Sequence, residues 1–111
     1  MVFTMKLDYQ YSDEQLEKIK NQGLIYTCVC PSQVSEQLVG IRSLLNYQYQ
    51  CQKEVDERTM DTHNLIVEAS LKAHEIMEKC LHDILIREGW DLETFEMPKD
   101  IRDLIVKKLL G

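Results

Sequence analysis

The chain of 111 residues carries 19 acidic side chains against 13 basic ones, a formal charge of −6 with an isoelectric point near 5.0. At 44% hydrophobic and 29% charged residues it has the composition of one folded domain over 1–111 and not that of a disordered chain. The acidic balance excludes nucleic-acid binding built on clustered Lys and Arg, and no apolar run approaches the roughly 20 residues that cross a bilayer.

The opening Met1–Met5 lacks the charged start and long apolar core of a secretory leader. The expected compartment is cytoplasmic, where the four cysteines stay reduced unless a metal or redox chemistry holds them. Ser12 followed by Asp13, Glu14 and Gln15 fits a capping box, with Tyr11 placed to staple onto Leu16. A helix is expected over 13–22, ended by Gly23 in the left-handed position beyond its C-terminus. The β-branched and aromatic run Leu24–Cys30 reads as extended. It could pair with Val2–Leu7 as a small β segment laid on the helices.

Pro31 suits a helix start, with Ser32 as the competing cap. From Ile41 to Glu88 there is neither glycine nor proline, and apolar residues recur at helical spacing. Val34, Leu38, Ile41, Leu45 and Tyr49 form one stripe, with Arg42, Ser43 and Asn46 on other faces. A second stripe holds Ile66, Ala69, Ala73, Ile76, Cys80 and Ile84, in the same heptad phase. Shared phase favours one continuous helix or coiled coil. The polar middle of the seam (Gln48, Gln52, Thr59, Thr62) and the caps offered by Asp56, Thr59 and Asp61 favour a hairpin turning near Glu54–Asp61, which is the preferred reading. Gly89 ends the long helical stretch, Trp90, Leu92 and Phe95 are expected to tuck back, and Pro98 opens a last helix with Ile101, Leu104, Ile105 and Leu109 inward. The fold class is therefore mainly α: a helical hairpin or bundle with a short N-terminal helix and a C-terminal helix.

Chemistry is sparsely signposted. In Cys28-Val29-Cys30-Pro31, strand alternation would set both thiols on one face, with Cys30 at a helix N-terminus that stabilises a thiolate. Leu24–Cys30 superficially resembles the opening of the small bacterioferritin-associated ferredoxins, which carry a C-x-C before a helix. That family holds its iron–sulfur cluster with a second C-x-x-C, whereas only Cys51 and Cys80 follow here, and the family is not assigned. Convergence of Cys28, Cys30, Cys51 and Cys80 on zinc or an iron–sulfur cluster is the alternative to a chain without cofactor. In His74-Glu75-Ile76-Met77-Glu78 a glutamate stands where a zincin needs its second histidine, so a protease reading fails. His63 and His74 share the edge of the apolar arc, the only place for an enzyme pocket in a chain that otherwise leans away from catalysis. Tyr47 and Tyr49, set among Asn46, Gln48 and Gln50, have the amphipathic chemistry of a protein contact. More apolar helix face is present than one subunit covers, so the expected role is a homodimeric protein-interaction module. The alternative role is thiol-based metal binding or redox chemistry at Cys28 and Cys30.

Overall fold

The structure, a computed structural model, describes residues 7–26, 29–51 and 57–111. Its four helices are α1 (Asp13–Ile25), α2 (Cys30–Cys51), α3 (Glu57–Glu88) and α4 (Lys99–Leu110), and no strand occurs among the described residues. The molecule is elongated, 59 × 23 × 18 Å, because α2 and α3 form a long antiparallel hairpin. The turn expected near Glu54–Asp61 lies partly outside the described residues, since 52–56 are not among them, and Asp61 falls inside α3.

Both halves of the capping box form at α1. Ser12 Oγ accepts from the Gln15 N–H at 3.1 Å, and Gln15 Oε1 accepts from the Ser12 N–H at 2.9 Å. The end of α1 corrects the expectation from sequence. The helix does not stop at Gly23; it runs on through Leu24 and Ile25 and closes at Tyr26, whose N–H donates to Gln22 O. Gly23 serves packing instead, since a Cβ there would stand 2.5 Å from Ser32 Oγ. The missing side chain lets α2 approach, and the Ser32 hydroxyl donates to the Lys20 carbonyl at 2.6 Å across that contact instead of capping its own helix. Residues 2–6, most of the expected strand partner, lie outside the described residues.

The core gathers at one end of the hairpin. Tyr11, Leu16 and Ile19 meet Val29, just before α2, Leu38 of α2, Leu81 and Leu85 of α3, and Trp90, Phe95 and Met97. A Schellman motif turns the chain there: Gly89, at φ +77°, donates to Ile86 O, and Trp90 N–H donates to Leu85 O. Asp91 Oδ1 then accepts from the N–H groups of Glu93 and Thr94, folding Phe95 inward in the left-handed region. Those two backbone bonds hold the Asp91 carboxyl below its ordinary range. Leu92, expected inside, is exposed. In α4 only Ile101 and Ile105 pack on the core, while Leu104 and Leu109 point to solvent.

On α2 the expected stripe is largely inside, with Leu38 and Leu45 buried and Val34 packed on the core, whereas on α3 the buried line is shifted from the expected one. On α2 the buried line runs Pro31, Ser35, Leu38, Leu45 and Gln48, and Tyr49 is exposed. On α3 it runs Val67, Ser70, His74, Glu78, Leu81 and Leu85. The expected α3 stripe is split, with Ala69, Ile76 and Cys80 exposed and Ile66, Ala73 and Ile84 half-buried. Thus α3 covers a mixed side, with Val67, Leu81 and Leu85 beside Ser70, His74 and Glu78, and leaves Leu65, Ile76 and Ile86 exposed elsewhere.

Candidate functional site

The inner seam of the hairpin holds a guanidinium, an imidazole and a carboxylate stacked where apolar side chains are usual. Arg42 enters from α2, while His74 and Glu78 stand one turn apart on α3. Arg42 Nε donates to His74 Nε2 at 2.9 Å, Nη1 to Asp13 Oδ1 at 2.7 Å, and Nη2 to the Tyr11 carbonyl at 2.6 Å. The same Nη2 lies 3.4 Å from Glu78 Oε2. Its outer face rests 4.9 Å from the centroid of the Tyr9 ring, a cation–π contact. Glu78 Oε2 also accepts from the N–H groups of Gln10 and Tyr11, at 2.7 and 3.0 Å. The Tyr11 hydroxyl and Gln10 Nε2 both reach His82 Nδ1, at 2.6 and 3.1 Å.

The protonation pattern follows from donor chemistry. Arginine has no acceptor, so His74 Nε2 accepts and the ring is neutral with its proton on Nδ1. Burial and then the Arg42 charge hold the His74 pKa below its ordinary 6.5, opposed by Glu78. Burial, then the charges of Glu78 and Asp83, push the Tyr11 phenol up. The arrangement fastens the segment before α1 across both limbs of the hairpin. It binds chain to chain, and the groove beside it, bounded by Leu7, Tyr9, Asp13, Arg42 and Asn46, reaches the guanidinium and not the buried His74.

Because the folded His74 pKa is depressed, folding keeps a proton off this ring. Its contribution to stability is full above the unfolded value of 6.5 and is lost as pH falls through that value toward the folded one. Urea midpoints measured from pH 7.5 to 5.5 are therefore expected to drop, with a slope of up to about 1.4 kcal/mol per pH unit from one proton. In His74→Gln, which keeps an acceptor for Arg42, the profile should flatten over that window. An unchanged slope would assign the pH dependence to other groups.

The thiols stand apart. Cys30 and Cys51 terminate the same helix, about 31 Å apart at about 1.5 Å per residue. One metal ion therefore cannot be held by both. Cys80 is exposed on the outer side of α3, and Cys28 lies outside the described residues. Among the described residues no three His, Cys, Asp or Glu side chains converge as a metal site. What α2 and α3 do bring together is Cys51, His63 and Gln48, with Cys51 Sγ 3.8 Å from His63 Nε2. Tyr47 is exposed, and Tyr49 is exposed where the sequence pattern expects it in the core.

No protein-family model, curated protein or solved structure matches the chain. No helix among the described residues is long and apolar enough to cross a membrane.

The second surface with functional character is the outer side of α3. Leu65 and Ile76 are each 67% exposed and Ile86 55%, with Ala69 and Cys80 between them. Along this side the charges alternate: Glu68, Lys72, Glu75, Lys79, Asp83 and Arg87, all exposed. Lys79 and Asp83 pair within the helix at 2.7 Å, which raises the Lys79 pKa and lowers that of Asp83. Three acidic and three basic groups leave this side locally neutral in a chain of net charge −6. Periodicity alone located the stripe in the sequence. It could not tell which side of α3 the rest of the chain would cover.

Proposed function

We propose that the chain is a homodimeric protein-interaction module whose copies associate through the outer sides of α3. The carrying observation is self-complementarity. Run in the opposite direction, the series Glu68, Lys72, Glu75, Lys79, Asp83, Arg87 meets opposite charge at each step. In an antiparallel pair related by a two-fold axis near Met77 and Glu78, Glu68 faces Arg87 of the second copy, Lys72 faces Asp83, and Glu75 faces Lys79. A two-fold contact must be self-complementary in this sense. The same register brings the two copies of Ile76 together near the axis and sets the small Ala69 opposite Ile86. The packing is that of an antiparallel coiled-coil pair.

Local neutrality supports the choice of a second copy. Two molecules of net charge −6 repel elsewhere on their surfaces, and this side is where the repulsion is balanced. Tyr47, exposed on α2 away from the pair, would remain open to a further protein partner. Light scattering on the purified chain at tens of micromolar tests the reading. The expected mass is twice the 13.1 kDa of one chain, and a strict monomer would overturn it.

A further inference from the structure

At the far end of the hairpin, three side chains from α2 and α3 stand in line. Gln48 is 5% exposed, and its carbonyl Oε1 lies 2.5 Å from His63 Nδ1. A carbonyl oxygen only accepts, so Nδ1 carries the ring proton and Nε2 presents a lone pair. That lone pair faces Cys51 Sγ at 3.8 Å, and Cys51 is half-buried, open enough for a small reagent. Thiol, imidazole and an orienting amide in this order are the parts that activate a cysteine nucleophile. Cys30 and Cys80 are more exposed, yet among the described residues neither thiol is hydrogen-bonded to an imidazole.

We infer that Cys51 is a reactive thiol for exchange with small disulfides, with His63 as its general base and Gln48 as the positioning residue. His63 Nε2 takes the Sγ proton as Sγ attacks one sulfur of the disulfide. The S–S bond of the reagent breaks and a new bond forms to Sγ. The departing sulfur leaves as a thiolate and recovers the proton from Nε2, so one thiol and one disulfide give one mixed disulfide and one thiol. The outcome is a reversible cap on the hairpin end, independent of the α3 surface assigned to dimerisation.

Single-thiol proteins test this directly. Three variants keep only Cys51, only Cys30 or only Cys80, with every other cysteine changed to serine. Each is treated at pH 7 with a water-soluble aromatic disulfide whose thiol product absorbs. Cys51 is expected to react at least about tenfold faster than Cys80, a threshold set below the roughly hundredfold at which a positioned base's contribution starts, although it is the less exposed thiol. Adding His63→Gln to the Cys51-only protein should bring its rate down to that of Cys80, and Gln48→Leu should give a value between. Loss of a merely structural His63 would loosen the hairpin end and leave the rate equal or higher, the opposite sign. A folded Cys51 no faster than Cys80, or a rate untouched by His63→Gln, would overturn the assignment.

Discussion

Arg42→Met is expected to lower the unfolding free energy by about 3–5 kcal/mol, the range for removing one partner of a buried ion pair. The side chains of Arg42 and Glu78 are 12% and 10% exposed, so loss of the guanidinium leaves a carboxylate desolvated beside a neutral imidazole. His74 Nε2 loses its donor and the Tyr11 carbonyl loses its 2.6 Å bond in the same step. Methionine keeps much of the volume, so the cost is electrostatic and not a cavity. Asp13→Ala provides the contrast. Its carboxylate is 87% exposed although it sits 2.7 Å from Arg42, and an exposed pair contributes at most about 1 kcal/mol. Glu78→Gln on the Arg42→Met background should recover part of the loss. A glutamine oxygen can still accept from the N–H groups of Gln10 and Tyr11 without a bare charge. Urea unfolding followed by circular dichroism measures all four proteins. A change below about 1 kcal/mol in Arg42→Met would show that the network is solvated and not structural.

That network explains what the sequence disclosed and what it hid. The capping box at Ser12, the glycine stop at Gly89, the restart at Pro98 and the hairpin were legible because each depends on residues close in the chain. Gly23 was misleading for a tertiary reason: its lack of a side chain serves the approach of Ser32, so α1 passes through it. The inner faces of α2 and α3 were hidden because hydrophobic periodicity gives no inward signal for Arg42 or Glu78, sets His74 only at the edge of the apolar arc, and reads Gln48 as a polar break in the seam. Each is inside because partners distant in the chain supply its hydrogen bonds: Arg42 for His74, the N–H groups of Gln10 and Tyr11 for Glu78, and His63 for Gln48. The Cys51 contact was hidden likewise: a helix hairpin set Cys51 beside His63, twelve residues on, whereas Cys28 lies outside the described residues. Partners distant in sequence carry no periodic signal, so complementary chemistry was the sole clue, in His74 and Glu78 one turn apart.

The heptad phase common to both limbs has a different explanation. On α2 part of that phase, Leu38 and Leu45, is buried in the hairpin, while on α3 part of it, Ala69, Ile76 and Cys80, is exposed. A chain that placed Ile76 and Leu65 outward only for solvent would gain nothing from their regular spacing or from the alternating charges beside them. Exposed apolar residues opposite an already covered side suit a helix that packs twice, once within its own chain and, in the proposed dimer, once against another.

In the proposed pairing, Ile76→Glu should dissociate the dimer while leaving the monomer folded. Ile76 is 67% exposed in the single chain, so the substitution is expected to change monomer stability by no more than about 0.5 kcal/mol. At a two-fold axis the same change occurs twice. Each isoleucine contributes about 1.5–3 kcal/mol when buried, so the dissociation constant should rise by more than about a hundredfold. Charge reversal then tests the register. Glu68→Lys and Arg87→Glu each place like charges together at two symmetric positions, weakening self-association by about tenfold for a total near 1.4 kcal/mol. Mixed in equal amounts, the two single variants should form a heterodimer. The lysine introduced at position 68 of one then meets the glutamate introduced at position 87 of the other, and the unaltered Arg87 of the first meets the unaltered Glu68 of the second. The double variant Glu68→Lys, Arg87→Glu should self-associate as the unaltered chain does. In a parallel pair residue 68 would meet its own copy, so Glu68→Lys would exchange one like-charge contact for another and leave affinity unchanged. Sedimentation equilibrium of the single variants, their mixture and the double variant separates the two geometries, and equal affinities throughout would rule out the antiparallel register.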